Sequence, residues 1–388
     1  MAVMPWYRLL KGQKIHRTNF FMSFAITWAY CPLKFKFPAG TSRGVLHEKE
    51  SYIIRLSHPD FPERVGFGEV SVLPGLSPEL TDPNWIASMH HDWRHVQEAW
   101  KNPLKPPRTE TLSPAFAFAL ECAWAGWTHA TPMTLFPSQS PPDGFAPLAI
   151  NGLIWMGDAD WMEKQIEEKL QAGFTTLKMK VGALDLATEL RLLARIRSAA
   201  PASELTLRVD ANGAFSPKNA RSILDQLAKF DIHSIEQPIA AGQRDAMSQL
   251  IQQSPIPIAL DEELIGIRPI ADKEKILTTL NPHYIILKPS LHGGVQSTRE
   301  WISAAENQAI GWWMTSALES NVGLHAICQL TATYQPSLPQ GLGTGSLYEN
   351  NIPSPLNVRN GQIQYDVTHS AWDFSALNFQ PEPVNSLL

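Results

Sequence analysis

Five charged residues recur in this chain at the ends of short apolar runs, and their spacing restricts the fold more than any other feature. They are Lys180 in Thr176-Leu177-Lys178-Met179-Lys180-Val181, Asp210 in Arg208-Val209-Asp210-Ala211-Asn212-Gly213, Glu236 in Ile235-Glu236-Gln237-Pro238, Asp261 in Ala259-Leu260-Asp261-Glu262, and Lys288 in Ile286-Leu287-Lys288-Pro289. Successive separations are 30, 26, 25 and 27 residues. Each is the length of one strand plus a crossover helix, the repeat of a parallel sheet. Amphipathic patterns such as Ala187–Ala199 and Asn219–Phe230 fill the gaps. Strands are expected at Pro147–Leu153, Thr175–Val181, Leu205–Val209, Ser234–Glu236, Ile256–Leu260, Tyr284–Leu287, Gly311–Thr315 and Gly341–Gly343. Eight of them over about 200 residues match a modified (β/α)8, TIM-type barrel. A doubly wound open sheet is the alternative, and no G-x-G-x-x-G follows the first strand to favour its dinucleotide-binding form.

Upstream the texture differs. Tyr30–Phe37, Ser51–Ser57 and Gly66–Val72 read as a β-meander with a first strand starting near Ile26. Asn84–Trp100 and Ser113–Ala130 read as helices, the second with Ser113 as N-cap and Pro114 at the first helical position. We therefore expect an α+β capping domain over 1–135, the barrel over 136–346, and a segment from 347 to 388 that packs back on the cap. The chain of 388 residues is long enough for two cores, and its 44% hydrophobic and 18% charged content is that of a globular protein. A net charge of -5 without a basic run gives no footprint for nucleic acid. Three scattered cysteines, Cys31, Cys122 and Cys328, make a poor disulfide framework and fit the reducing cytoplasm. Lys11, Lys14 and Arg17 precede the apolar stretch Phe20 to Cys31, which is too short to span a bilayer and lacks a cleavage site after it. Residues 1–21 are expected to be an extension, with Met22 as the working start; intact-mass measurement decides this.

Equivalent positions in successive β-α units project at one barrel mouth. Asp210, Glu236 and Asp261 should converge there. Crowded carboxylates repel unless protonated or bridged by a cation. Three oxygen donors without histidine or cysteine suit Mg²⁺, with Mn²⁺ as a substitute, rather than zinc. Lys178 and Lys180 lie two apart on one strand and share a face. Helices cover the outside of that strand, so both should enter the mouth, with Lys288 across from them. A dication nearby lowers a lysine pKa and makes a neutral lysine base available. Each residue alone has a duller explanation, as a solvated face or a helix-capping acid. Five in step, lysines outside and acids inside, do not.

With these motifs the chain resembles the enolase superfamily, in its muconate-lactonizing subgroup with K-x-K on the second strand and lysine on the sixth. That superfamily uses a lysine or histidine base with Mg²⁺. Within the subgroup the chain is most similar to the o-succinylbenzoate synthase family of menaquinone biosynthesis. Lys34–Leu46 looks like that family's specificity loop, and Thr315-Ser316-Ala317-Leu318-Glu319-Ser320 like its seventh-strand end. The resemblance implies a lyase: Asp210, Glu236 and Asp261 bind the metal, and Lys180 removes the proton beside a substrate carboxylate and then protonates the departing hydroxyl. It implies a cationic Lys288 over the opposite face of the ring, support of Lys180 by Lys178, and substrate or site contacts from Arg43, Asn212, Ser316 and Gly343. A small-molecule carboxylate is the expected partner, with neither nucleic acid nor membrane, and the oligomeric state is left open. Gly341-Leu342-Gly343-Thr344-Gly345-Ser346 lacks the Asp-x-Asp pair of dipeptide epimerases. N-acylamino-acid racemisation by Lys180 and Lys288 is the alternative within the fold, and a non-catalytic metal–carboxylate-binding barrel the alternative outside catalysis.

Overall fold

The structure is a computed structural model that describes residues 23–41, 44–129, 131–136 and 144–383. The expected extension at 1–21 lies outside these residues. Strands β1 (Ala25–Tyr30), β2 (Leu33–Thr41), β3 (Gly44–Lys49), β4 (Ser51–His58) and β5 (Phe61–Ser71) come first, followed by helices α1 (Trp85–Ala99) and α2 (Pro114–Thr128). β1, β4 and β5 form an antiparallel sheet, and β2–β3 a separate hairpin. β3 falls within the stretch expected as a loop. Helix α2 opens, as expected, with Ser113 at the N-cap and Pro114 after it. It is apolar around nearly its whole circumference and correspondingly buried. One side lies on β5 and another against the barrel helices that follow Lys288. The approach to β5 is so close that a Cβ on Gly66 or Gly68 would stand 1.8 Å from the carbonyl oxygen of Ala123 or 1.9 Å from that of Ala119.

The barrel region runs β6 (Leu148–Ala149), β7 (Gly152–Ile154), α3 (Ala159–Gln171), β8 (Thr176–Lys180), α4 (Leu186–Ala199), β9 (Thr206–Asp210), α5 (Pro217–Leu227), β10 (Ser234–Glu236), α6 (Arg244–Gln253), β11 (Ile258–Leu260), α7 (Ile270–Leu280), β12 (Tyr284–Leu287), α8 (Pro289–His292), α9 (Gly294–Glu306), β13 (Gly311–Met314) and α10 (Asn321–Ala332). Strands β7 to β13 form one parallel sheet in sequence order. Alternation along β8 and the residue after it is clean: Leu177, Met179 and Val181 are fully buried in the barrel–helix core, while Lys178 and Lys180 face the other way.

Two strand expectations need correction. The stretch expected as an eighth strand, Gly341–Gly343, forms no regular strand. Gln340 and Gly341 make only single parallel bridges, to Ile150 and Thr315, between the two edges of the seven-stranded sheet. Glycines offer no side chains to pack along a ladder. The expected first strand, Pro147–Leu153, is divided: β6 leaves the barrel to pair with a C-terminal hairpin, β14 (Leu356–Arg359) and β15 (Gln362–Tyr365). That hairpin sits in the tail segment after residue 347, whose sequence carries little strand signal. Further on, Phe374 stacks on Phe67 of β5 with ring centroids 4.2 Å apart, and Gln380 pairs with Trp28 of β1.

Two carboxylates stitch the cap onto the barrel. Glu69 of β5 is fully buried and accepts hydrogen bonds from the Ser320 amide (2.8 Å) and hydroxyl (2.5 Å) and from the Gly323 amide (2.9 Å) at the start of α10. Glu121 of α2 accepts from the Val295 (2.5 Å) and Gln296 (3.1 Å) amides at the start of α9. Both exploit the unpaired amides and positive end of a helix N-terminus. The three cysteines are buried and free, and among the described residues no helix is long and apolar enough to cross a membrane.

Candidate active site

Strand register sets the site. Lys180 of β8, Asp210 of β9 and Glu236 of β10 are direct neighbours across the sheet. Asp261 is the first residue after β11 and Lys288 the first after β12. The chain leaves the sheet sharply behind two of the acids: Asn212 and Gln237 adopt positive φ of 43° and 39°. Asparagine tolerates this left-handed region and glutamine does so rarely, so Gln237 is under strain. It is held by its own side chain. Buried Gln237 accepts from the amides of Asp261 (3.2 Å) and Glu263 (3.3 Å) and donates to the carbonyl of Ile239 (3.0 Å).

The charged side chains interlock. Lys178 Nζ lies 2.9 Å from Asp210 Oδ2 and 2.5 Å from Glu236 Oε2, so both acids meet at one positive centre. Lys180 Nζ donates to Asp210 Oδ2 at 2.9 Å and to Asn212 Oδ1. Asn212 also donates to Glu262 Oε1 at 3.0 Å. Lys288 Nζ donates to Asp261 Oδ2. Burial would raise the Asp210 and Asp261 carboxyls, but the lysines outweigh it and hold both below the usual range. Glu236 is pushed well above its usual range by burial and by Asp210. Burial would lower Lys178 and Lys288, yet the surrounding carboxylates hold both above the ordinary lysine value.

One cavity is lined by Lys178, Lys180, Asp210, Asn212, Glu236 and Lys288, and also by Ser316 and Gly343. Asp261 lies fully buried behind Lys288. Arg43 lies outside the described residues. Among the described residues no three histidine, cysteine or acidic side chains close around a common point, and lysine ammonium groups contact one oxygen of each carboxylate. The donor set nonetheless fits a hard dication: three carboxylates, all buried, with Asp261 Oδ1 enclosed and without a hydrogen-bond partner.

Sequence reasoning passed over several residues that shape this site. Trp313 of β13 lines the cavity and is backed by the buried Arg208 guanidinium, 4.0 Å from its ring centroid. Gln237 is the lock described above. Glu319 is fully buried and joins Ser316 to Ser290. The Ser-x-x-Glu spacing of Ser316 and Glu319 was a legible signal, since it is the pattern of a capping box.

Residues 161–368 match the family described as enolase C-terminal domain-like. The chain is 44% identical over 363 residues to the o-succinylbenzoate synthase of Desulfotalea psychrophila (strain LSv54), an alignment covering 85% of this chain and 96% of that one. The fold is similar to the crystal structure of MenC from Desulfotalea psychrophila LSv54, with a TM-score of 0.71 and 37% identity over 88% of this chain and 99% of that one. It is also similar to muconate lactonizing enzyme from Pseudomonas fluorescens complexed with muconolactone, with a TM-score of 0.72 over 92% and 98% of the two chains; at 19% identity that likeness concerns the fold alone.

Proposed function

The chain belongs to the enolase C-terminal domain-like family, and on that premise we propose that it acts as an o-succinylbenzoate synthase. The observation that carries this reading is the joint one: two facing lysines and three buried carboxylates at the ends of successive strands, in a chain 44% identical to an o-succinylbenzoate synthase along most of both lengths. It is a carbon–oxygen lyase. Its substrate is 2-succinyl-6-hydroxy-2,4-cyclohexadiene-1-carboxylate, and its products are o-succinylbenzoate and water.

Asp210, Glu236 and Asp261 would hold a Mg²⁺ ion. When bound, the ion supplies positive charge beside the substrate carboxylate, where negative charge grows as the neighbouring proton leaves. Lys180, as the neutral amine, takes that proton at Nζ. The resulting ammonium then delivers it to the departing hydroxyl on the same face, so water leaves and the ring becomes aromatic. Asn212 orients Lys180 through the hydrogen bond they share. Lys288, kept protonated by its carboxylate neighbours, faces the ring from the other side as a cation. Lys178, paired to Asp210 and Glu236, places a second positive charge next to Lys180. Placement in menaquinone biosynthesis and in the cytoplasm follows from the same reading.

The test is conversion of the cyclohexadiene substrate, followed by the ultraviolet absorbance of the aromatic product, with and without chelator. The parent protein should turn over only with Mg²⁺ or Mn²⁺, and Lys180→Ala should lose at least about 10³-fold in kcat, the scale of a positioned acid–base group. Turnover indifferent to chelator overturns the assignment.

A further inference from the structure

Ser316 faces the substrate cavity from the end of β13, but its hydroxyl is not free to greet an anion. Its single proton is donated to Glu319 Oε2 at 2.5 Å, while its oxygen accepts from the Glu319 amide at 3.2 Å. The other carboxylate oxygen of Glu319 takes the Ser290 hydroxyl proton, also at 2.5 Å. A serine hydroxyl has one proton and a carboxylate has none. With Glu319 ionised, both serine protons are spent on it, and Ser316 turns only lone-pair density toward the cavity. A carboxylate entering that space meets an acceptor.

The backbone makes this arrangement deliberate. Leu318, between the two partners, adopts a φ of 62°, which a branched side chain rarely takes. Its carbonyl accepts from the Tyr348 hydroxyl at 2.6 Å. The strained turn sends Glu319 inward, across to α8, instead of out along the helix start as in an ordinary capping box. Charged and titratable groups gather around it: Glu69 from β5 and Lys49 from β3, with the Cys122 thiol of α2 and the Tyr348 hydroxyl beyond. Burial, reinforced by Glu69, raises the Glu319 carboxyl, while Ser290, Ser316 and Lys49 oppose the rise.

We infer that Glu319 is a proton-gated positioning residue: when protonated it donates to Ser316, releases the Ser316 hydroxyl toward a carboxylate of the ligand in the cavity, and so links binding of that carboxylate to uptake of one proton. The balance is simple. One proton from solvent joins a Glu319 carboxylate oxygen, the O–H so formed donates to Ser316 Oγ, and the Ser316 proton rotates to the ligand. No bond to carbon is made or broken.

This rests on the synthase reading, and the test separates the two. Titration calorimetry of o-succinylbenzoate into the Mg²⁺-loaded protein, in buffers of different ionisation enthalpy, counts protons taken up. At alkaline pH the wild type should take up about one proton more than Glu319→Gln, whose amide always has a proton to donate. Its Kd should weaken about tenfold per pH unit above the midpoint, a slope that Glu319→Gln should lose while keeping its affinity. Ser290→Ala, a milder change, removes one of the two donors that steady the anion and should move the midpoint to higher pH. If Glu319→Gln shows the same proton count and slope as the wild type, or weakens equally at every pH as a purely structural residue would, the gate is overturned. A wild type that binds no o-succinylbenzoate at any pH overturns the functional reading, and this inference falls with it.

Discussion

Gln237 has no charge and does not line the cavity, yet it holds the amide of Asp261. Its side chain satisfies two buried amides that would otherwise be orphaned, and an unpaired buried donor costs about 1–3 kcal/mol. Gln237→Ala should lower unfolding stability by about that amount for the pair, measured by urea denaturation, and should weaken the thermal stabilisation gained on adding Mg²⁺. At this scale the sequence revealed the charged tips well, because their period is a property of chain length between strands. It did not reveal Gln237, and it showed Glu319 only as the end of a Ser-x-x-Glu spacing, without its inward turn. Their roles depend on φ values of 39° and, at Leu318, 62°, conformations that neither residue type announces. Arg43, read from resemblance, lies among residues the structure does not describe.

Among the elements, the seam between β5 and α2 is governed by absent atoms. Gly68→Ala would put a methyl group 1.9 Å from the Ala119 carbonyl oxygen, and only movement of the whole helix relieves such a clash. Overpacking of this kind costs roughly 1–3 kcal/mol, so a melting temperature several degrees lower is expected, with far-ultraviolet dichroism unchanged below the transition. The helices of the barrel and the Ser113–Pro114 start of α2 were legible because caps and 3.6-residue periodicity are local signals. The division of 147–153 between two sheets was not, since it depends on β15, more than 200 residues downstream in the chain. Nor was the irregular eighth segment. A Gly-rich stretch reads equally as strand or loop until its neighbours are known.

For the molecule as a whole, the cap is held to the barrel partly by a carboxylate whose proton affinity is altered by folding. Burial pushes the Glu121 carboxyl up to about 7, against the pull of Thr109, the α9 amides and Arg268. A raised folded value means the native state holds this proton more tightly than the unfolded chain. That contribution is complete below about pH 4.5 and disappears as the pH rises through about 7. Chemical-denaturation midpoints from pH 5 to 8.5 should therefore decline in the wild type relative to Glu121→Gln, which cannot ionise. Parallel profiles would show that the seam is indifferent to this proton.

Helix α2 has a further consequence for how the protein is made. It is almost wholly apolar, and the barrel helices that cover it begin at Pro289, 161 residues after its last residue, Thr128. At roughly 5–20 residues per second of synthesis, the face of α2 turned away from β5 waits about 8–32 seconds before its cover arrives. Nascent chains of this protein should accordingly depend on chaperone custody during that interval.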